Sequence, residues 1–339
     1  MQMEKTNWID NLRALATVSV IILHVAAPIL YQYNKISIDT WWIGNFFDAS
    51  MRFGVPIFLM ITGALILPKT YPIKQFIKQR ASKIILPFLF WSFVYIIYNL
   101  SNSHEISFIG TVKYILYKLK NGAAYHLWYI YMLLGIYLFL PIIGKWIINS
   151  TKKEIAYFIV IWVVVMVINL PILLPFKSNI NFNYFSGYLG YPVLGYYLAH
   201  QIKPNKSNIA ALLLIGIGTL TTLIGTYFIS LSQKAFNSAF YSFLTPNVLI
   251  TAIGIFLLFK QTTIKNNNLN LLMKAISKHS YGIYLSHVFV LLWLSRFKIT
   301  WNFVHPAMGI IATSTLCLIV SFAITYILQK IPLGKYIAG

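Results

Sequence analysis

The chain has 339 residues, of which 58% are hydrophobic and only 10% are charged, and its formal net charge is +21. A soluble domain carries about 25% charged residues, so this composition excludes an ordinary soluble protein. The basic residues fall in short segments between apolar stretches, which indicates anchoring against anionic membrane lipid rather than nucleic-acid binding. A single cysteine, Cys317, excludes an internal disulfide.

Ten apolar stretches predict an all-α, polytopic integral membrane protein, since about 20 helical residues cross a bilayer. The sixth and eighth stretches are short for this purpose. We expect about ten transmembrane helices in a single membrane-embedded domain over residues 1–339. The stretches are Leu12–Leu30, Trp42–Leu67, Ile84–Leu100, His126–Ile148, Ile155–Leu174, Gly187–His200, Ile209–Leu231, Thr245–Phe259, Leu271–Leu294 and Phe303–Leu328.

The distribution of Lys and Arg predicts the orientation of the chain. Most of the 27 basic residues lie on the side of the membrane that carries the first segment, and the densest basic segment is Lys69–Lys83. Cytosolic loops carry the excess of Lys and Arg, so both termini are expected in the cytosol.

The first apolar stretch carries titratable residues. His24 lies eleven residues after Arg13, close to three helical turns, so both share one face about 16 Å apart along the axis. An ionisable ring near the middle of a bilayer is costly and marks a candidate functional site. An imidazole can act as a general base, although a buried histidine that only bonds a neighbouring helix is the alternative. Asp10 precedes Arg13 by three residues and can pair with it.

Each of two further arginines lies close in the sequence to another charged residue. Arg80 and Lys83 lie three residues apart at a predicted helix start and could bind phosphate, or simply anchor the helix at the cytosolic surface. Arg52 follows Asp48 by one turn, so the two can neutralise each other, or Arg52 can line the outer half of a cavity. Gly54 beyond it permits a kink.

Two histidine-containing segments complete the candidate site. His126 and Trp128 begin the fourth stretch, where they are either interfacial residues or contacts for an acceptor such as a sugar. His287 ends the segment Lys278-His-Ser-Tyr-Gly-Ile-Tyr-Leu-Ser-His and is either a packed histidine or a substrate contact. The histidines lack i,i+4 pairs and a cluster of carboxylates, so no metal site is expected.

Taken together, these motifs resemble the acyltransferase family 3 membrane proteins. The resemblance covers nearly the whole chain. It rests on Trp-Ile-Asp-Asn-Leu-Arg13 with His24, on Arg52-Phe-Gly-Val-Pro-Ile-Phe-Leu-Met-Ile-Thr-Gly, on Arg80-x-x-Lys83, on His126-Leu-Trp-Tyr, and on Ser-Lys-His-Ser-Tyr-Gly-Ile-Tyr-Leu-Ser-His287.

The resemblance implies a multi-pass protein of the bacterial plasma membrane that transfers acetyl from cytosolic acetyl-CoA to a hydroxyl of an extracytoplasmic glycan. It also implies that Arg13 and His24 are essential. The family's Arg-x-x-Arg motif corresponds to Arg80 and Lys83 here, where the lysine keeps the charge and loses the bidentate fork of arginine. We expect Asp10 to be a third catalytic residue, together with Arg13 and His24.

In the expected mechanism, Arg80, Lys83 and Arg13 hold the CoA phosphates while His24 acts as a general base or forms an acetyl-His intermediate. Arg52, His126, Trp128 and His287 are the expected contacts of the acceptor. The loop Ser101–Tyr125 is expected to select that acceptor.

Two other functions fit the same residues. A transporter or exporter would use intramembrane His and Arg as a relay, although the chain shows no inverted repeat. A family relative could instead transfer succinyl or another acyl group.

Overall fold

The structure is a computed structural model that describes residues 4–101, 107–170, 187–204 and 207–339. Over those ranges the chain is helical, without strands, as the sequence predicts. The α-helices are α1 (Glu4–Leu30), α2 (Ile38–Met51), α3 (Gly54–Ile66), α4 (Ile73–Ser101), α5 (Phe108–Asn121), α6 (Trp128–Asn149), α7 (Lys152–Ile168), α8 (Gly190–Tyr196), α9 (Ile209–Gln233), α10 (Pro246–Gln261), α11 (Asn267–Arg296) and α12 (Pro306–Lys330). We call the end of the bundle where α1 begins the lower end, and the end where α1 finishes the upper end.

Seven helical stretches of the described residues are long and apolar enough to cross a membrane. They are Asn7–Leu30, Ile38–Ile66, Ile73–Ser101, Tyr125–Asn149, Ile209–Gln233, Ala239–Gln261 and Pro306–Lys330. The chain is therefore a multi-pass membrane protein.

The other three predicted spans differ from these seven. α11 has 30 residues but is more polar, and α7 has 17 residues, with residues 171–174 of its predicted span outside the described part. The sixth predicted span is the short α8 followed by the π-helical turn Tyr197–Gln201. Ten spans and cytosolic termini remain predictions.

The second predicted span is one apolar stretch broken in the middle. α2 ends at Met51 and α3 begins at Gly54, which packs closely against Ser19 of α1. Gly44 of α2 packs against Ile29, further along α1, so α1 runs antiparallel to α2 and α3. This register sets Arg52, at the break, deep in the bundle and close to the level of His24.

A second close contact joins α3 to α8. Gly63 of α3 packs against the backbone of Pro192, and Gly195 of α8 packs against the backbone of Met60. Two helices approach this closely only where side chains are absent at the crossing, as is common between membrane helices. The crossing fixes the wall of α3 that faces the interior of the bundle.

α11 is the central partner of α1, and it also packs against α4 and α12. Tyr95 of α4 joins it near the middle of the bundle: its hydroxyl donates to the carbonyl of Leu285 (2.8 Å) and accepts from the backbone N–H of Phe289 (3.0 Å). α11 is thereby held between α1 and α4.

The expected acceptor-selecting loop contains a helix. Residues 102–106 lie outside the described part, and the remainder of Ser101–Tyr125 is mostly α5. α5 has no buried residue, and the hydroxyl of Tyr131 donates to the carbonyl of Leu119 near its end (2.6 Å). The loop therefore leads through a helix on the surface of the bundle directly into the segment that holds His126.

Candidate active site

Three histidine rings from separate parts of the chain meet inside the bundle. His24 comes from α1, His126 from the 3₁₀ turn before α6, and His287 from α11. The ring centroid of His287 lies 5.2 Å from that of His24 and 5.0 Å from that of His126, and the His24 and His126 centroids are 6.5 Å apart. Each histidine was a candidate by itself in the sequence, and the fold joins them in one cluster.

The three rings differ in accessibility. His126 and His287 are 1% and 0% exposed, whereas His24 is only half-buried. His24 also contacts the ring of Tyr125, at 5.2 Å between centroids, and Tyr125 is 63% exposed. Of the three histidine rings, that of His24 is therefore the most accessible.

Hydrogen bonds orient the two buried rings. The Nδ1 atom of His287 lies 2.6 Å from the carbonyl oxygen of Tyr284, which requires this nitrogen to be the protonated donor. Its Nε2 atom has no hydrogen-bond partner among the described residues. The hydroxyl of Tyr284 in turn donates to the carbonyl of His126. Tyr284 therefore links the two segments that carry the buried histidines.

A cavity of about 250 Å³ lies below this cluster, toward the lower end of the bundle. Arg13 of α1 and Arg80 of α4 both line it, as does Thr62 of α3. Tyr129 and Tyr284 also line it, and their rings lie 5.4 Å apart. Tyr284 contacts the His287 ring on its other side (5.7 Å), so the cavity stops one aromatic layer short of the histidines.

Arg13 is held at the wall of this lower cavity by two partners. Its Nη1 atom lies 3.3 Å from Asp10 Oδ1, the pair that the sequence spacing predicts, and 3.1 Å from Ser277 Oγ. The hydroxyl of Ser277 donates to Asp10 Oδ1 at 2.8 Å. Asp10 therefore contacts Arg13 rather than the histidine cluster, and Ser277 of α11 completes a three-residue network.

The two basic residues of the Arg-x-x-Lys motif lie in different environments. Arg80 is half-buried and lines the lower cavity, whereas Lys83, one turn later on α4, is exposed and lies outside the lining. The guanidinium carbon of Arg80 lies 6.0 Å from the ring centroid of Phe76. The fold therefore brings Arg13 and Arg80, but not Lys83, to one cavity.

A second cavity, of about 270 Å³, opens toward the upper end. Arg52 lines it, and its Nε atom donates to Asp48, which is 0% exposed. The guanidinium carbon also lies 4.4 Å from the ring centroid of Tyr241. Ala27 lines the same cavity and follows His24 on α1 by three residues, or about 4.5 Å of rise. His24 lines neither cavity, but along α1 it lies between Arg13, which lines the lower cavity, and Ala27, which lines the upper one.

Trp128 packs against residues that form the wall of the upper cavity. Its ring stacks on that of Phe243, 5.9 Å away at an interplanar angle of 22°, and lies 5.6 Å from the ring of Tyr188. Phe243 and Tyr188 line the upper cavity, whereas Trp128 does not. Trp128 thus joins the segment of His126 to the wall of that cavity.

Sequence reasoning missed the residues that connect the cluster to the lower cavity. Ser277, Ser280, Tyr284 and His287 follow one another on α11 at spacings of three, four and three residues, which places them on one helical face. Ser280 and Tyr284 line the lower cavity, and Ser277 bonds to Arg13. This polar line within an apolar helix is a signal that the sequence contains.

The described residues contain no group of three His, Cys, Asp or Glu side chains arranged to hold a metal ion. An imidazole between two cavities can move a proton between molecules bound on either side.

Helices that cross a membrane around such a cluster define a multi-pass membrane protein with a candidate active site inside the bundle. A family model described as an acyltransferase domain matches residues 6–328. The chain therefore belongs to acyltransferase family 3. No curated protein and no solved structure shows significant similarity to it.

Proposed function

We propose that the chain is an O-acetyltransferase that moves acetyl from cytosolic acetyl-CoA to a hydroxyl of a cell-surface or lipid-linked glycan, in the plasma membrane of a bacterium. The observation that carries this proposal is the position of His24 between two cavities of different chemistry. Both cavities have aromatic walls, but Arg13 and Arg80 line the lower cavity, whereas the single arginine of the upper cavity, Arg52, is paired with Asp48. Acyl transfer between a donor and an acceptor on opposite sides needs such an arrangement.

Acetyl-CoA is assigned to the lower cavity. Arg13 and Arg80 present guanidinium groups, which bind phosphate oxygens bidentately. Beyond them the cavity continues between Ile61, Leu133 and Tyr129, which suits the narrow, largely uncharged pantetheine arm. Lys83 is exposed nearby and adds only to the positive potential at the mouth.

The transfer step is proton removal by His24 followed by acyl exchange. The unprotonated ring nitrogen of His24 takes the proton of the acceptor hydroxyl as its oxygen bonds to the thioester carbonyl carbon. The carbon–sulfur bond then breaks, the CoA thiolate leaves, and the proton on His24 passes to the sulfur. The products are an acetyl ester and free CoA. Direct transfer and a covalent acetyl-His route both use the same nitrogen.

The aromatic layer between the lower cavity and His24 must open for this step. Tyr129 and Tyr284 lie between the lower cavity and the histidine rings. Rotation of these rings is the movement that admits the thioester. His287 and His126, behind them, then lie beside the reacting groups.

The acceptor is assigned to the upper cavity, with Arg52, His126, Trp128 and His287 positioning it directly or through the walls. From the sequence motifs we expect the chain to act like the bacterial O-acetyltransferases that modify enterobacterial common antigen. We propose a glycan acceptor of that general class, with acetyl as the transferred group.

Coenzyme A binding tests the donor assignment. The protein, purified in detergent, should unfold at a higher temperature in the presence of CoA, because a ligand that binds only the folded state stabilises it. Arg80→Gln should weaken this stabilisation strongly. Lys83→Gln is the matched control, because it removes one positive charge from the same helix outside the lower cavity. No response of the unsubstituted protein to CoA would overturn the proposal.

A further inference from the structure

The upper cavity contains a charge that is compensated inside the protein. Arg52 donates through Nε to Asp48, and its Nη1 atom lies 3.4 Å from the carbonyl oxygen of Tyr241. The second carboxylate oxygen of Asp48 is buried without a hydrogen-bond partner among the described residues. The cavity therefore offers guanidinium donors while its two charged residues cancel each other.

The rest of the wall is aromatic and hydroxylic. Tyr188, Phe243 and Phe236 contribute ring faces or edges, and Ser238 and Ser242 contribute hydroxyl groups. Flat apolar surfaces combined with a few polar groups suit a ligand with one apolar face and hydroxyl groups around its rim. A sugar ring has this character.

We propose that the upper cavity binds one uncharged sugar residue of the acceptor, with Arg52 donating to its oxygens and the aromatic rings covering its apolar face. The role of this sugar as the acceptor rests on the proposed function, whereas the sugar site itself does not. A volume of about 270 Å³ is below the roughly 300–1,000 Å³ of sites for drug-sized ligands, so a single ring fits the enclosed part.

The entrance and the depth of the cavity agree with this assignment. Tyr31, at the upper end, lines the cavity and is 71% exposed, so the remainder of a glycan can continue outward past it. Ala27, at the other side of the lining, is one turn from His24. The sugar is thereby bound about one helical turn from His24, which does not itself line the cavity.

The upper cavity favours an uncharged sugar over an acidic one because Asp48 and Arg52 already neutralise each other. An acidic sugar would bring a second carboxylate next to Asp48, and like charges at close range in a poorly solvated site repel each other. Replacing Asp48 by Asn keeps the shape and leaves Arg52 uncompensated. The Asp48→Asn protein should therefore gain affinity for acidic sugars relative to neutral ones.

The experiment is ligand-observed NMR with the full chain in lipid nanodiscs, which avoids sugar-based detergents. The probes are the methyl glycosides of glucose, galactose and N-acetylglucosamine, together with methyl glucuronide and methyl galacturonide. The unsubstituted protein should bind at least one neutral glycoside more tightly than either uronide. In the Asp48→Asn protein the ratio of uronide to neutral affinity should rise by about tenfold or more.

Asp39→Asn is the matched control, because Asp39 lies exposed in the first turn of the same helix. Its preference should equal that of the unsubstituted protein. Arg52→Gln should lose binding of the neutral glycoside, and Phe243→Leu should weaken it. CoA stabilisation, measured on each variant, should persist and shows that the protein is folded.

Two results would overturn the inference: the unsubstituted protein binds no neutral glycoside or prefers a uronide, or Asp48→Asn leaves the ratio unchanged. The CoA measurement separates this outcome from failure of the proposed function. Binding of CoA without glycoside selectivity removes the sugar site and leaves the acetyl-CoA assignment intact. Glycoside selectivity without a CoA response supports the sugar site and contradicts the proposed acetyltransferase activity.

Discussion

A methyl group added at Gly63 tests the packing that forms the lower cavity. Gly63 lies on α3, and a Cβ atom there would collide with the backbone of Pro192 on α8. A flexible side chain could rotate away from such a collision, but a backbone cannot, so the two helices would have to separate. Ile61 and Thr62, immediately before Gly63, line the lower cavity and would move with the helix.

The magnitude follows from two opposing effects. Forcing extra volume into a well-packed contact costs about 1–3 kcal/mol, and the backbone collision places Gly63→Ala at the upper end of that range. Alanine is better than glycine in a helix by about 1 kcal/mol, which offsets part of the cost. The net loss of unfolding free energy should be about 2 kcal/mol.

Gly135 of α6 offers a matched control, since a Cβ atom there has no neighbouring atom within 4 Å. Gly135→Ala should be neutral or stabilising by up to about 1 kcal/mol. The assay is the thermal unfolding midpoint of each purified variant in the same detergent. Since 1 kcal/mol shifts the midpoint by roughly 2–4 °C in chains of 150–250 residues, Gly63→Ala should unfold several degrees below Gly135→Ala. Equal midpoints would refute the reasoning.

Three other predictions follow from contacts of single residues. The Nζ atom of Lys260 donates to three backbone carbonyls at 2.6–2.8 Å, so Lys260→Met should lower the thermal midpoint by the equivalent of about 2–3 kcal/mol. Lys265→Met, at an exposed position, should leave the midpoint unchanged. Ser277→Ala should weaken CoA binding about fivefold, measured as a reduced thermal stabilisation, because it loosens Arg13; an unchanged response contradicts this role. Hydrogen bonds from the capping threonine lower the pKa of Glu154, so its stabilising effect is complete above the ordinary glutamate pKa and is lost as the pH falls through the lowered value. Midpoints measured against pH should show a shallower acid limb for Glu154→Gln, and identical limbs would exclude the effect.

Local features of the fold and site could be predicted because they depend on neighbours in the chain. The Asp10–Arg13 and Asp48–Arg52 pairs form at the spacings at which helical side chains meet. Apolar stretches long enough for a bilayer correctly predicted a multi-pass helical protein. The glycine at position 54 likewise predicted a kink in this stretch, and α3 begins at Gly54.

The assembly of the site depends on tertiary contacts that no local pattern contains. His24, His126 and His287 are far apart in the sequence, and only the packing of α1, α11 and the 3₁₀ turn before α6 brings their rings together. Helical spacing predicts a shared face for Arg80 and Lys83, yet only Arg80 reaches the lower cavity, because the position of that cavity is set by the helices around α4. The sequence alone cannot supply this information.

The central claim is that His24 accepts the proton of the acceptor hydroxyl, and acetylation of cellular glycans measures it directly. Cells that lack the chain are supplied with the unsubstituted protein, with His24→Gln, or with His305→Gln, an exposed histidine at the start of α12. Acetyl groups on extracted surface and lipid-linked glycans are then followed over time by mass spectrometry, with CoA stabilisation of each purified variant as the folding control. General-base catalysis contributes about 10²–10⁴-fold, so His24→Gln should slow acetylation by at least the lower figure while His305→Gln does not. A folded His24→Gln protein that acetylates glycans at the unsubstituted rate would contradict the account.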